Sequence, residues 1–305
     1  MTNRKWICLT LLCLLMTIGL VGCGNKNTTP AKGDQFLGEW VVEAEYAVSR
    51  VGKEDTLFVD ARGEKKAILG TVSGAVVTRW RDWCITDGKE GDETWGCMKA
   101  PEDMEILLGG LGISKEKEII LVGETLKGWG EDARLLWQLR AAGYENVKMV
   151  DGGYDALKAC GVKKQLAGSK PEKVEVDIEV LDYSHTMRTD ELLENYENYK
   201  IVDVRTDEEY KGAILYNEAQ GGHLPSAIHI RYTDLFKEDG SLKPNAELTA
   251  MFEAAGLSKD DSIVTYCTGG IRSAYTQLVL EMCGFENSYN YDQSFWRWSV
   301  VGEVE

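Results

Sequence analysis

SIVTYCTGGIRSAYTQLVLEM, Ser262 to Met282, holds a strand, a turn and a helix in one run. Ile263, Val264, Thr265 and Tyr266 are β-branched or aromatic and read as a buried strand. From Ala274 to Met282 the apolar residues return at helical spacing. Cys267 therefore ends the strand, and Cys267-Thr268-Gly269-Gly270-Ile271-Arg272-Ser273 wraps into a helix N-terminus. Backbone N–H groups in such a turn point inward. A sulfur at its centre meets those donors, the positive helix end and Arg272, and each favours the thiolate at neutral pH. Gly269 and Gly270 allow the tight, partly left-handed path. A plainer reading is a thiol that only fills space at a strand end, which suits most buried cysteines. The glycine pair and the Arg272-Ser273 that follows argue against it here.

The rest of the chain repeats this plan. Leu57-Phe-Val-Asp-Ala-Arg62 corresponds to Lys200-Ile-Val-Asp-Val-Arg205, and Val72-Ser-Gly-Ala-Val76 to Leu224-Pro-Ser-Ala-Ile228. Glu118-Ile-Ile-Leu-Val122 corresponds to Ser262–Tyr266, and Ala142-Gly-Tyr-Glu-Asn146 to Cys283-Gly-Phe-Glu-Asn287. The order is the same in both halves, as expected of two divergent copies of one domain. Each half alternates strand-like and helix-like runs, so the expected fold class is α/β, with a parallel sheet flanked by helices in each copy. The expected boundaries are 35–166 for the first copy, a turn-rich linker over 167–172, and 173–305 for the second. The copies differ where it matters. Gly123 takes the place of Cys267, and the loop Gly123–Asp132 is expected to be three residues longer and brings acids where the second brings Arg272. Thiolate chemistry cannot run there, so the first copy is expected to help wall the site of the second.

The 305 residues leave room for about two domains. A hydrophobic content of 44% with 28% charged residues is that of a globular protein. The formal charge is −16, which argues against nucleic acid and anionic lipid as partners. At the N-terminus Arg4 and Lys5 precede an apolar stretch from Ile7 to Leu20, which suits a signal segment over 1–22. It ends in Leu20-Val21-Gly22-Cys23, which resembles a bacterial lipobox and implies cleavage before Cys23 and lipid on its sulfur. Residues 23–34 then read as a flexible tether. The expectation is a monomer, exported and lipid-anchored at the outer face of a bacterial cell membrane.

Of eight cysteines, Cys8 and Cys13 leave with the leader. Cys84 and Cys97 flank a polar, glycine-rich loop and are the candidate disulfide pair of an exported protein. Cys283 reads as core packing. There is no CxxC, and the only histidines are His185, His223 and His229, so neither metal nor cofactor is expected.

Taken in order, VDVR with Glu209-Tyr210, Gly222-His-Leu-Pro-Ser-Ala-Ile228, Tyr266-Cys-Thr-Gly-Gly-Ile-Arg-Ser273 and Asn290-Tyr-Asp-Gln-Ser-Phe-Trp296 resemble the tandem sulfurtransferases of the rhodanese superfamily. The resemblance covers nearly the whole mature chain. It implies that Cys267 takes a sulfur from a small donor as a persulfide and passes it to a thiol or cyanide-like acceptor. Thr268 to Ser273 would form the active loop. Arg272 would hold the donor's anionic group or pair with a loop carboxylate to stiffen the turn. Asp203 and Arg205 read as a buried structural pair, His223 as a turn residue, and Trp296 and Trp298 as core, with pocket lining as their alternative role. The loop departs from both thiosulfate- and mercaptopyruvate-preferring members, and Glu209 stands where many members carry a substrate-binding arginine, so the donor stays open. Two rivals remain: a non-enzymatic sulfur carrier, and a cysteine phosphatase or arsenate reductase, whose loops have five residues between cysteine and arginine rather than the four here.

Overall fold

The structure is a computed structural model that describes residues 36–305. The leader, the lipobox with Cys23 and the tether lie outside the described residues. The first copy contains β1 (Val41–Val42), α1 (Ala44–Arg50), β2 (Thr56–Asp60), α2 (Glu64–Ala67), β3 (Thr71–Val72), β4 (Val76–Val77) and α3 (Pro101–Gly110). It continues with β5 (Glu118–Val122), α4 (Glu131–Ala141), β6 (Val147–Val150), α5 (Gly153–Ala159) and β7 (Lys164–Gln165). The second copy contains β8 (Thr186–Met187), α6 (Thr189–Glu194), β9 (Lys200–Asp203), α7 (Asp207–Tyr210), β10 (Ile228–His229) and α8 (Asn245–Ala254). It ends with β11 (Ile263–Tyr266), α9 (Ile271–Met282), β12 (Ser288–Tyr291) and α10 (Ser294–Val301).

The two main sheets have one topology. The first runs β1-β6-β5-β2-β4 and the second β8-β12-β11-β9-β10, and every pairing within them is parallel. The central strands β5 and β11 are buried along their whole length, which is why they read as unbroken apolar runs. β2 ends with Asp60 beside Val122, and β9 ends with Asp203 beside Tyr266. The next residues, Gly123 and Cys267, therefore sit at matching carboxyl ends of matching central strands.

α4 and α9 pack on each other at the centre of the molecule. Both are buried on almost every side, including polar Arg134, Gln138, Thr276 and Gln277. The largest hydrophobic cluster therefore spans both copies, from Trp83 and Leu136 in the first to Phe252 and Phe285 in the second. Arg140 and Glu281 close one edge of the helix pair with two 2.8 Å hydrogen bonds. Between the sheets the chain runs along the first copy, where Val174 N–H bonds Gly109 and Asp182 N–H bonds Ala141. Ile178 and Leu181 are buried there.

The expected disulfide does not form: Cys84 and Cys97 are both free thiols. Cys84 lies opposite Met98 in an antiparallel bridge, so the neighbouring Cys97 side chain points to the other face. Cys84 Sγ instead accepts from Arg134 Nη2 at 3.4 Å.

Candidate active site

Cys267 sits just past β11, 1% exposed, at the centre of the turn into α9. Gly270 ends the turn at φ 79°, in the left-handed region where a side chain is strained. A Cβ there would also lie 2.2 Å from both Asp292 O and Arg134 Nη1. Gly269 is needed for a different reason: its Cβ would meet the Trp296 ring at 2.0 Å. The start of α10 pins the loop from behind, because Phe295 N–H bonds Cys267 O and Trp296 N–H bonds Thr268 O. Ser294 Oγ accepts from Cys267 N at 3.1 Å.

Burial opposes ionisation of the Cys267 thiol. Arg272, the backbone N–H groups of Ser273 and Gly269, and the Ser273 hydroxyl together outweigh it and bring the thiol below its ordinary value. Ser273 Oγ lies 3.7 Å from Sγ and 2.7 Å from Asn290 Oδ1, so its one proton serves either partner. The other described cysteines differ. Burial, and then the nearby Asp292, push Cys97 up to about 12, and burial pushes Cys283 up to about 11. Cys84 also has donors, Arg134 and Gln138, but burial outweighs them and raises it, whereas at Cys267 the donors win.

Arg272 pairs with a carboxylate that comes from α7 rather than, as expected, from the loop: the partner is Glu209. Nη1 reaches Oε2 at 2.8 Å and Nη2 reaches Oε1 at 2.7 Å. Thr268 Oγ1 also donates to Glu209, at 2.7 Å. Asp203 and Arg205 form a fully buried pair at 2.7 Å, and Arg205 holds Gly222 O at 2.7 Å. Tyr266 donates to the same Asp203, so the pair anchors the strand end beneath the sulfur without touching it. His223 bonds Tyr210 O and stacks on its ring, as a turn residue should.

A small pocket of about 30 Å³ opens over the sulfur, room for one water-sized group. Ile271, Trp296, Tyr216 and Trp129 make its lining almost wholly apolar. Trp296 is thus a wall as well as core, whereas Trp298 is core alone. Trp129 comes from the first copy, and its ring meets Tyr216 edge-on at 5.8 Å across the two copies. The Gly123–Asp132 loop carries it there. With Gly130 and Gly270 both left-handed at the start of their helices, that loop spans seven steps against three, four residues longer rather than three. Arg134 is the residue the sequence did not single out. It is fully buried and bonds Gly270 O at 3.0 Å and Gly96 O at 2.7 Å, so the first copy grips the active loop of the second.

The first copy's own cradle is filled. A Cβ on Gly123 would lie 2.2 Å from Asp132 Cγ, so the Asp132 carboxyl occupies the space a cysteine would need. Asp132 and Arg272 hold matching positions in their helices, two residues past the left-handed glycines.

Comparison with known proteins agrees with this geometry. The family described as "Rhodanese-like domain" matches residues 43–160 and 188–300. The chain belongs to the rhodanese family. A "Putative thiosulfate sulfurtransferase" of Saccharopolyspora erythraea is 28% identical over 87% of this chain and 94% of its own length. One of the same description from Haloferax volcanii is 31% identical over 69% of this chain and 76% of its own. The "Sulfur carrier protein TtuD" of Thermus thermophilus is 29% identical over 66% and 75%. Among solved structures, the 3-mercaptopyruvate sulfotransferase SseA of Escherichia coli superposes with a TM-score of 0.70 at 21% identity, over 83% of this chain and 98% of that one. That likeness carries the rhodanese fold.

Proposed function

We propose that the protein is a sulfurtransferase that carries sulfane sulfur as a persulfide on Cys267. The observation that carries this reading is a buried thiol, lowered by loop N–H groups and Arg272, under a pocket with room for one more sulfur. The Cys267 thiolate attacks the outer sulfur of a donor R–S–SH. The S–S bond of the donor breaks, its electron pair leaves with R–S⁻, and the loop carries Cys267–S–SH. An acceptor thiolate or cyanide then takes the outer sulfur, and the electron pair returns to Cys267. The loop donors stabilise the anion at either stage.

The names of relatives support the same class, and thiosulfate, 3-mercaptopyruvate and persulfides are the candidate donors. The phosphatase reading lacks a free cation, because both terminal nitrogens of Arg272 are committed to Glu209. The lipobox reading supports export and attachment through Cys23 at the outer membrane face. Labelling with a radioactive fatty acid, lost in Cys23→Ser, would test that part.

Intact mass under non-reducing conditions tests the chemistry. Incubation with a sulfur donor should add one sulfur, mapped to Cys267 and discharged by cyanide, and Cys267→Ala should abolish the gain with the fold intact. Full transfer in that variant would sink the mechanism. Stoichiometric loading with no discharge to any acceptor would favour a carrier, and turnover of an aryl phosphate would favour the phosphatase class.

A further inference from the structure

Arg272 is the side chain placed to grip an anionic donor, yet its charge is already matched. Glu209 meets both of its terminal nitrogens, at 2.8 and 2.7 Å, and is itself fully buried. Glu209 is fixed from its own side as well, since Thr206 N and Thr206 Oγ1 donate to its Oε2 at 3.0 and 2.9 Å. An arriving anion meets a guanidinium whose charge Glu209 already balances, and only its remaining N–H groups are open to it. Arg272 is the only cationic side chain in the pocket lining. Behind the loop, buried Arg134 lies within electrostatic reach of Cys84, Asp292 and the Cys267 sulfur, and its N–H groups go to Cys84 and to backbone carbonyls. Arg81, over the rings of Trp80, Trp95 and Trp296, is tied to Glu90 at 3.4 Å. At the pocket wall itself, Arg272, its partner Glu209 and the Cys267 thiolate sum to minus one before any donor arrives.

The two donor classes load this site differently. Thiosulfate reacts as Cys267–S⁻ plus S–SO₃²⁻ to give Cys267–S–S⁻ plus SO₃²⁻, which places three negative charges in an apolar pocket. An R–S–SH donor with an uncharged R group gives Cys267–S–SH plus R–S⁻ and carries one. Desolvating a dianion with no free cation to receive it is the costlier step. The walls suit an apolar R group. Trp129 and Tyr216 flank the opening, and exposed Leu126, Ile214 and Leu215 lie on the same two loops.

We propose that Glu209 sets the donor class: by neutralising Arg272 it rejects small dianionic donors and leaves organic persulfides with uncharged, apolar R groups as the substrate. This rests on the persulfide reading of Cys267 given above.

The test offers benzyl persulfide and thiosulfate separately, at equal concentration, to the full chain and to Glu209→Gln. The rate at which Cys267 gains one sulfur is followed by intact mass. Glu209→Gln should shift the ratio of the two rates toward thiosulfate by about tenfold or more, the factor that roughly one unit of charge is worth in a partly screened site. A ratio that stays put, or moves toward the persulfide, overturns the proposal. Should Glu209→Gln not fold, competition in the wild-type chain decides. Excess thiosulfate should leave loading by benzyl persulfide unslowed, and inhibition would overturn the proposal. Loading by neither donor would instead overturn the persulfide reading itself, and this inference with it.

Discussion

Burial alone would raise the Glu209 carboxyl, but the Arg272 guanidinium, with Thr268 and the Thr206 N–H, holds it down at about 2. A folded-state value below the ordinary 4.5 means the pair stabilises the fold above that pH and loses its contribution as pH falls toward 2. The shift corresponds to about 3 kcal/mol. Glu209→Gln should therefore be less stable than the wild type at pH 7 by about that amount, with the gap closing as both are acidified. Chemical denaturation across that range measures it, and a gap constant with pH would show that Glu209 acts by packing alone. The Arg272 partner was half legible in the sequence. A loop carboxylate was one of the two open roles, but the partner comes from α7, and its identity depends on how that helix lies against the loop. Glu209 and Arg272 are 63 residues apart, and no local pattern reports such a contact.

At the scale of elements, the two strand–loop–helix units are one design used twice. α9 opens at Gly270 around a thiol, and α4 opens at Gly130 around the Asp132 carboxyl. Burial, and then the neighbouring Glu131, raise Asp132 to about 7. Its Oδ1 has no hydrogen-bond partner. A raised acid stabilises the fold most below its ordinary value, 3.8, and that contribution is lost as pH climbs toward 7. Asp132→Asn keeps the shape without the charge, so it should be more stable than the wild type at pH 8 by about 1–4 kcal/mol. The advantage should shrink to nothing near pH 4. A variant less stable at pH 8 would show that the ionised carboxylate has a partner in solution. The sequence revealed these units because buried parallel strands read as continuous apolar runs and the glycines mark where the backbone turns left-handed. It could not reveal the Cys84–Met98 register, and the disulfide expectation failed on that single-residue offset.

At the scale of the molecule, the repeat suggests two independent domains, but the packing argues for one cooperative body. The main hydrophobic cluster runs through both copies, and α4 and α9 pack on each other as well as on their own sheets. Either copy alone would expose a helix face that the fold buries, with its leucines and its unsolvated Arg134, Gln138 or Gln277. Calorimetry should accordingly show a single transition, with its van't Hoff enthalpy close to the calorimetric one. Arg134 is the sharpest probe of the coupling. Its guanidinium holds Gly96 in the first copy and Gly270 and Asp292 in the second. Arg134→Met keeps most of the volume but strips three buried carbonyls of their donor, at a cost of about 2–4 kcal/mol. In a cooperative body this loss lowers the one transition as a whole, and sulfur loading at Cys267 falls with it because Gly270 belongs to the active loop. Two resolved transitions, with only the first copy's shifted by Arg134→Met, would mean that the copies fold separately and that the inactive one serves only as a wall.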